Sequence, residues 1–223
     1  MDRHLFKVYC AGPLFNPKER EEMDSIASAL KDAGYLVFLP QENGLEFAKL
    51  LPVFVERDIA LEDAIKILNM AIFSLDVFEI IDSQGLVLNM NGRVPDEGAM
   101  VEAGIAWAHD KSLVIFKNDD RSLIQGNCNP LVTGLSDFEI ISEYQDIPTA
   151  FDRKISQSNG NISFETTPRF ETAKNKGSQI SEYLIEQKKT DEITELLIKL
   201  FAEETCPYTK GKNQNVTPEN MQL

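Results

Sequence analysis

"LFKVYCAGPLFNPKEREEMDSIASALKDAGYLVFLP" (residues 5–40) decides the fold. Residues 5–12 alternate, carry β-branched and aromatic side chains, and run into Gly12-Pro13, which reads as a strand entering a turn. Asn16 can cap a helix, Pro17 suits its first position, and acidic residues crowd the early turns. Ile26, Leu30 and their neighbours form an apolar stripe, and Gly34 stops the helix. "YLVFLP" (35–40) is then a short buried strand ended by Pro40. Such a βαβ opening predicts a parallel sheet with helices on its faces.

The pattern continues outward. Residues 44–84 are longer than one crossover needs and read as two or three helices, with Asp76 a cap for the last. "GLVLNM" (85–90) is a strand, "NGRVP" a loop and "DEGAMVEAGIAWAHD" (96–110) a helix. "SLVIFKND" (112–119) and "FEIIS" (138–142) complete the alternation. The expected class is α/β, doubly wound, with five parallel strands in a domain spanning 1–156. Beyond it the spacing predicts a polar linker over 157–178, an amphipathic helix over 179–204 and a disordered tail over 205–223. The apolar face of that helix comprises Ile180, Leu184, Ile193, Leu196, Leu197 and Leu200.

Composition excludes several classes. The formal net charge of -14 over 223 residues repels phosphate backbones, so no nucleic-acid partner is expected, while a small neutral substrate is unaffected. No apolar run reaches the roughly 20 residues of a membrane span, so no membrane association is expected. The N-terminus enters a strand without a signal or transit pattern, so a cytoplasmic location is expected. Cys10, Cys128 and Cys206 are far apart and odd in number, as free thiols are in a reducing compartment. Neither zinc spacing nor a Cys/His pair involving His4 or His109 is present, so no metal is expected. No G-x-G-x-x-G follows a strand and no Walker A motif occurs, so no cofactor is expected either.

Ligands of open α/β sheets bind outside the carboxyl ends of the strands. That places "YCAGPLF" (9–15), "NMNGRVPDEG" (89–98), and "NDDRS" with "NCNP" (118–130) side by side. Gly12, Pro13, Leu14 and Phe15 make a tight strand-to-helix turn. Asp96 and Glu97 suit a helix N-terminus. Capping does not account for Glu102, a carboxylate among Ala99, Ala103, Gly104 and Ala106 on a helix made to pack closely on the sheet. It is either exposed at the solvent edge or held in a crevice with a raised pKa.

Together these pieces resemble the nucleoside 2-deoxyribosyltransferase family. "VYCAGPLF", "NGRVPDEGAMVEAGIAWA", "SLVIFKNDDRS" and "NCNPLVTGL" carry the resemblance over residues 5 to about 150. It implies a flavodoxin-like domain that moves 2-deoxyribose between nucleobases, or, as in close relatives, hydrolyses the N-glycosidic bond of nucleosides or their monophosphates. A non-catalytic nucleoside-binding protein is the third alternative. By the resemblance, Glu102 is the nucleophile at the anomeric carbon, Asp96 holds the sugar hydroxyls, Tyr9 orients the nucleophile, and Asn129 reaches a neighbouring subunit's site. Gly12, Pro13, Leu14, Phe15 and Gly98 line the substrate. Gln84, with Asp82 close by, falls where the family carries an aspartate near the base, and Asn91 where an aspartate is common before the glycine. The implied partners are a nucleoside, a nucleobase and further copies of the chain in a dimer or larger assembly.

Overall fold

A computed structural model describes residues 2–92, 96–119, 128–157, 168–186 and 190–205. Strand β1 (Lys7–Ala11) leads into helix α1 (Pro17–Asp32) and strand β2 (Leu36–Phe38). Short helix α2 (Pro40–Asn43), α3 (Phe47–Glu56) and the long α4 (Leu61–Asp82) follow. Then come β3 (Gly85–Asn89), α5 (Glu97–Ala108), β4 (Ser112–Phe116), α6 (Pro130–Thr133) and β5 (Ile140–Ile141). Helices α7 (Ile147–Gln157), α8 (Pro168–Ile185) and α9 (Thr190–Thr205) end the described chain. The sheet is parallel throughout, in the order β2-β1-β3-β4-β5. This is the flavodoxin-like doubly wound order, with its switch point between β1 and β3.

Local chemistry explains the first crossover. Asn16 accepts from the Glu19 amide at 3.1 Å while Glu19 accepts from the Asn16 amide at 3.2 Å, a complete capping box. Met23, Ile26, Ala27 and Leu30 then bury one stripe of α1. Gly34 leaves the helix at φ +93°, a conformation that disfavours a side chain. Gly12 is needed for a different reason. A Cβ there would lie 2.5 Å from Met23 Sδ and 2.8 Å from Asn89 Cβ, so the turn after β1 is pressed directly onto α1 and β3.

The strands alternate between two cores. Val8, Cys10, Val87, Val114 and Phe116 face α1 and α7. Tyr9, Ala11, Leu86, Leu88 and Ile115 face the opposite layer, which holds α3, α4 and α5 and also α8 and α9. Ile180, Ile193, Leu197 and Phe201 belong to the same continuous core as Tyr9 and Leu86. At about 1.5–3 kcal/mol for each buried side chain, these four contribute on the order of 6–12 kcal/mol, comparable to the net stability of a whole domain.

The C-terminal region therefore differs from its sequence-based outline. Residues 168–178, expected in a polar linker, form the first part of α8, and the single helix expected over 179–204 is divided between α8 and α9. The boundary drawn at 156 separates segments that share one core, because the apolar stripe of α8 and α9 needs α4 to cover it. The tail beyond Thr205 lies outside the described residues. Asp76 is another correction. It sits inside α4 rather than at a helix start, because no Gly or Pro interrupts the helix between Leu61 and Asp82. Among the described residues no helix is long and apolar enough to cross a membrane.

Truncation after Gln157 is expected to abolish cooperative unfolding and to produce strong ANS fluorescence, since it strips α8 and α9 from the α4 face. Circular dichroism melts of the full and truncated chains check this.

Candidate active site

Tyr9 stands at the centre of β1, paired in register with Phe38 on one side and Leu86 on the other. Its ring stacks on Phe38 with centroids 5.4 Å apart, and the residue is fully buried. A phenol buried so completely must place its hydroxyl on a partner. That partner is Glu102, whose Oε1 accepts at 2.7 Å. Asp76 of α4 lies close enough to the same hydroxyl for the two groups to shift each other's pKa. Two carboxyl groups from two helices thus converge on one tyrosine from one strand.

The electrostatics follow from that convergence. Burial pushes Glu102 up to about 8, against the Tyr9 hydrogen bond, and the charges of Asp76 and Asp96 add to the rise. Burial likewise pushes Asp76 up to about 7, again against the bond from Tyr9, with the Glu79 charge adding to it. Tyr9 itself is raised well above the usual phenol range, first by burial and then by the two carboxylates. It is therefore a neutral hydroxyl with a single hydrogen at every physiological pH.

Helix α5 positions Glu102. Asp96 is its N-cap and accepts from the Ala99 amide at 2.7 Å. Ala99, Ala103 and Ala106 are buried on the sheet, and these small side chains let α5 approach closely enough for Glu102 to reach Tyr9. Of the two readings left open for Glu102, the crevice with a raised pKa is the one the fold adopts. Only one oxygen of Asp96 is engaged in the cap, and Gly98 beside it would bring a Cβ to 3.1 Å from Asp96 Oδ1.

The remaining candidates are distributed unevenly. The Gly12–Phe15 turn lies at the carboxyl end of β1, where the Leu14 carbonyl accepts from Arg20 at 2.8 Å and the Phe15 side chain is exposed. Asn129 is an exposed N-cap of α6, accepting from the Leu131 amide at 2.9 Å. Arg93, Val94, Pro95 and residues 120–127, also in the expected cleft pieces, lie outside the described residues.

Gln84 and Asn91 do not join the site. Gln84 lies at the amino end of β3, where its side chain accepts from the Lys7 amide at 2.7 Å and donates to the Asp82 carbonyl at 3.1 Å. Both ends of its amide are tied to backbone there. Asn91 is buried and donates to Glu22 at 3.1 Å and Asn118 at 2.8 Å, while accepting from the Asn118 amide at 3.0 Å. It clamps the segments after β3 and β4 to α1, and both of its amide hydrogens are engaged. The second carboxyl group comes from Asp76 instead. The signal was present, because Asp76 in "FSLDVFEI" is as isolated among apolar neighbours as Glu102 is in α5. Among the described residues no group of three or more His, Cys, Asp and Glu side chains is placed to hold a metal ion.

A parallel 2-1-3-4-5 sheet with a tyrosine and a carboxyl pair on one face defines a flavodoxin-like α/β protein with a carboxyl-based site. The family model for nucleoside 2-deoxyribosyltransferase matches residues 8–197, and the chain belongs to that family of glycosyl-transferring enzymes, which act on nucleosides and nucleobases. Similar solved structures include a conserved protein from Enterococcus faecalis V583, 21% identical, covering 67% of this chain and 98% of that one at a TM-score of 0.48. Another is the 2-deoxyribosyltransferase of Bacillus psychrosaccharolyticus, 20% identical, covering 64% of this chain and 90% of that one at a TM-score of 0.42. No curated protein matches the chain.

Glu102→Gln tests the electrostatics without any substrate. The folded-state pKa of Glu102 is raised, so wild-type stability declines as pH rises from the unfolded value near 4.5 through about 8. The neutral variant escapes that decline. Its melting temperature should gain on the wild type's as pH rises from 4.5 to about 8.5, and the gain should vanish below pH 4.5.

Proposed function

We propose that the protein transfers 2-deoxyribose between nucleobases through a covalent glycosyl intermediate on Glu102. The observation that carries this reading is the buried Tyr9 hydroxyl donating to Glu102 at 2.7 Å, with Asp76 near enough to be shifted by the same phenol. Tyr9 has one hydrogen, and it goes to Glu102. That bond favours charge on Glu102 and holds its rotamer. The two carboxyl groups share one proton in the reactive form, and with the Tyr9 hydrogen committed to Glu102 that proton sits on Asp76. One carboxylate and one carboxylic acid side by side are what displacement of a base requires.

In the first half-reaction the C1′–N bond breaks and its electron pair leaves with the base. Asp76 gives that nitrogen its proton, and a Glu102 oxygen forms the new bond to C1′. In the second, the nitrogen of an incoming base attacks C1′, Glu102 leaves as carboxylate, and Asp76 recovers the proton. The free oxygen of Asp96 holds a sugar hydroxyl, and Gly12, Pro13, Leu14, Phe15, Gly98 and Asn129 line the substrate. Family membership supports deoxyribosyl transfer over other glycosyl chemistry.

We also propose that the active form is a homo-oligomer. Val101 and Trp107 on α5 and Phe73 on α4 are more than half exposed, an apolar surface on the two helices that carry the site. Light scattering should report at least a dimer, and Trp107→Glu should shift it toward monomer.

Deoxyinosine incubated with and without free adenine or cytosine tests the chemistry. A new deoxynucleoside is expected. Hypoxanthine alone would instead mean hydrolysis, and a ligand-induced rise in melting temperature without products would mean binding only. Glu102→Ala should lose about a thousand-fold or more in kcat. The pair must hold one proton, so kcat/KM should be bell-shaped with its maximum between about 7 and 8. Below that window the nucleophile is protonated, and above it the acid is gone.

A further inference from the structure

Two pairs of polar residues link β1 and α4. One is Tyr9 and Asp76, close enough to shift each other's pKa. The other lies two residues earlier on β1 and three residues later on α4, hence on the same faces of both elements. There Lys7 Nζ stands 2.5 Å from Glu79 and 2.6 Å from Asp82. Glu79 is only 2% exposed. A carboxylate at that depth is tolerated only with partners around it. Lys7 faces its Oε2, and Ser181 of α8 donates to its Oε1.

Helix α8 meets α4 at the same turn. A Cβ on Gly177 would lie 2.0 Å from the Ser74 carbonyl oxygen and 2.4 Å from Phe78 Cβ. The helices therefore touch backbone to backbone at Ser74 and Phe78, two residues to either side of Asp76. No side chain larger than hydrogen fits between them.

We propose that Lys7, Glu79 and Ser181 are positioning residues that fix the turn of α4 carrying Asp76 beside Tyr9, making α8 a working part of the active site. This rests on the reading of Asp76 as the acid. One contact between a helix and a strand leaves the helix free to turn or slide, and a second contact one turn away removes that freedom. The ion pair supplies it without touching substrate. The groups that act on Asp76 are Tyr9 from β1 and Glu79 from α4, and Asp76 together with Asp96 acts in turn on Glu102 of α5. Lys7 points at Glu79 and Asp82. At this turn α8 presents Gly177 and Ser181. The Glu79 charge therefore opposes a second negative charge on Asp76.

Carboxyl-carbon NMR of the full-length protein, with the Asp76 resonance assigned through its loss in Asp76→Asn, reads this directly. In Glu79→Gln the Asp76 midpoint should fall by about one pH unit, and the alkaline limb of kcat/KM should fall with it. Ser181→Ala, a milder change should Glu79→Gln fail to fold, should shift both in the same direction by less, and Ser181→Thr should restore them. A midpoint unmoved in the folded variants, even with a lowered melting temperature, would overturn the proposal and leave a structural ion pair. A midpoint that moves while the limb stays would support the hold on Asp76 and overturn Asp76 as the acid.

Discussion

A phenol has one hydrogen to give, and in this protein two carboxyl groups compete for it. Tyr9 is fully buried on β1, with Glu102 and Asp76 at its hydroxyl. The hydroxyl donates to Glu102, and burial holds both carboxyl groups above the usual carboxylate range. Three elements are arranged around that constraint. β1 holds the ring by stacking on Phe38, α5 brings in Glu102 on a face of alanines, and α4 brings in Asp76. Removing any of the three would leave a buried polar group without a partner.

The supporting structure is polar where precision matters and apolar elsewhere. Asn91 and Asn118 join the segments that follow β3 and β4, and Glu22 ties them to α1. At the other end of the sheet Lys7, Glu79, Asp82 and Gln84 hold β1, α4 and the start of β3 together. The site lies between these two networks. Helices α8 and α9 press on α4 from outside, so the C-terminal region contributes to the same core as strand β1.

Much of this was legible along the chain. The Asn16 cap, the stop at Gly34, the strand at 85–89 and the cap at Asp96 depend on neighbours within four residues, and local chemistry determines them. Glu102 stood out because a carboxylate in a small apolar helix has no local role. Asp76 carried the same signal but was hidden by the length of α4. Whether it capped a helix or faced the sheet depended on where that helix began, and no Gly or Pro marks the start. Gln84 precedes β3 in sequence, where the family resemblance places a polar group near the base. The fold puts that position at the amino end of the sheet, away from the cleft.

The amino-acid sequence by itself determined the βαβ alternation, the doubly wound class and two of the three groups at the centre of the site. Periodicity and capping are local, and they survive without knowledge of what packs where. Only the tertiary structure decided that Asp76 meets Tyr9, that Asn91 is a clamp, and that α8 and α9 close the core rather than trail from it. Those outcomes depend on the rotation of α4 about its axis and on the close approach of Gly177 to Ser74 and Phe78. Such contacts join residues about a hundred positions apart, and helix packing alone brings them together.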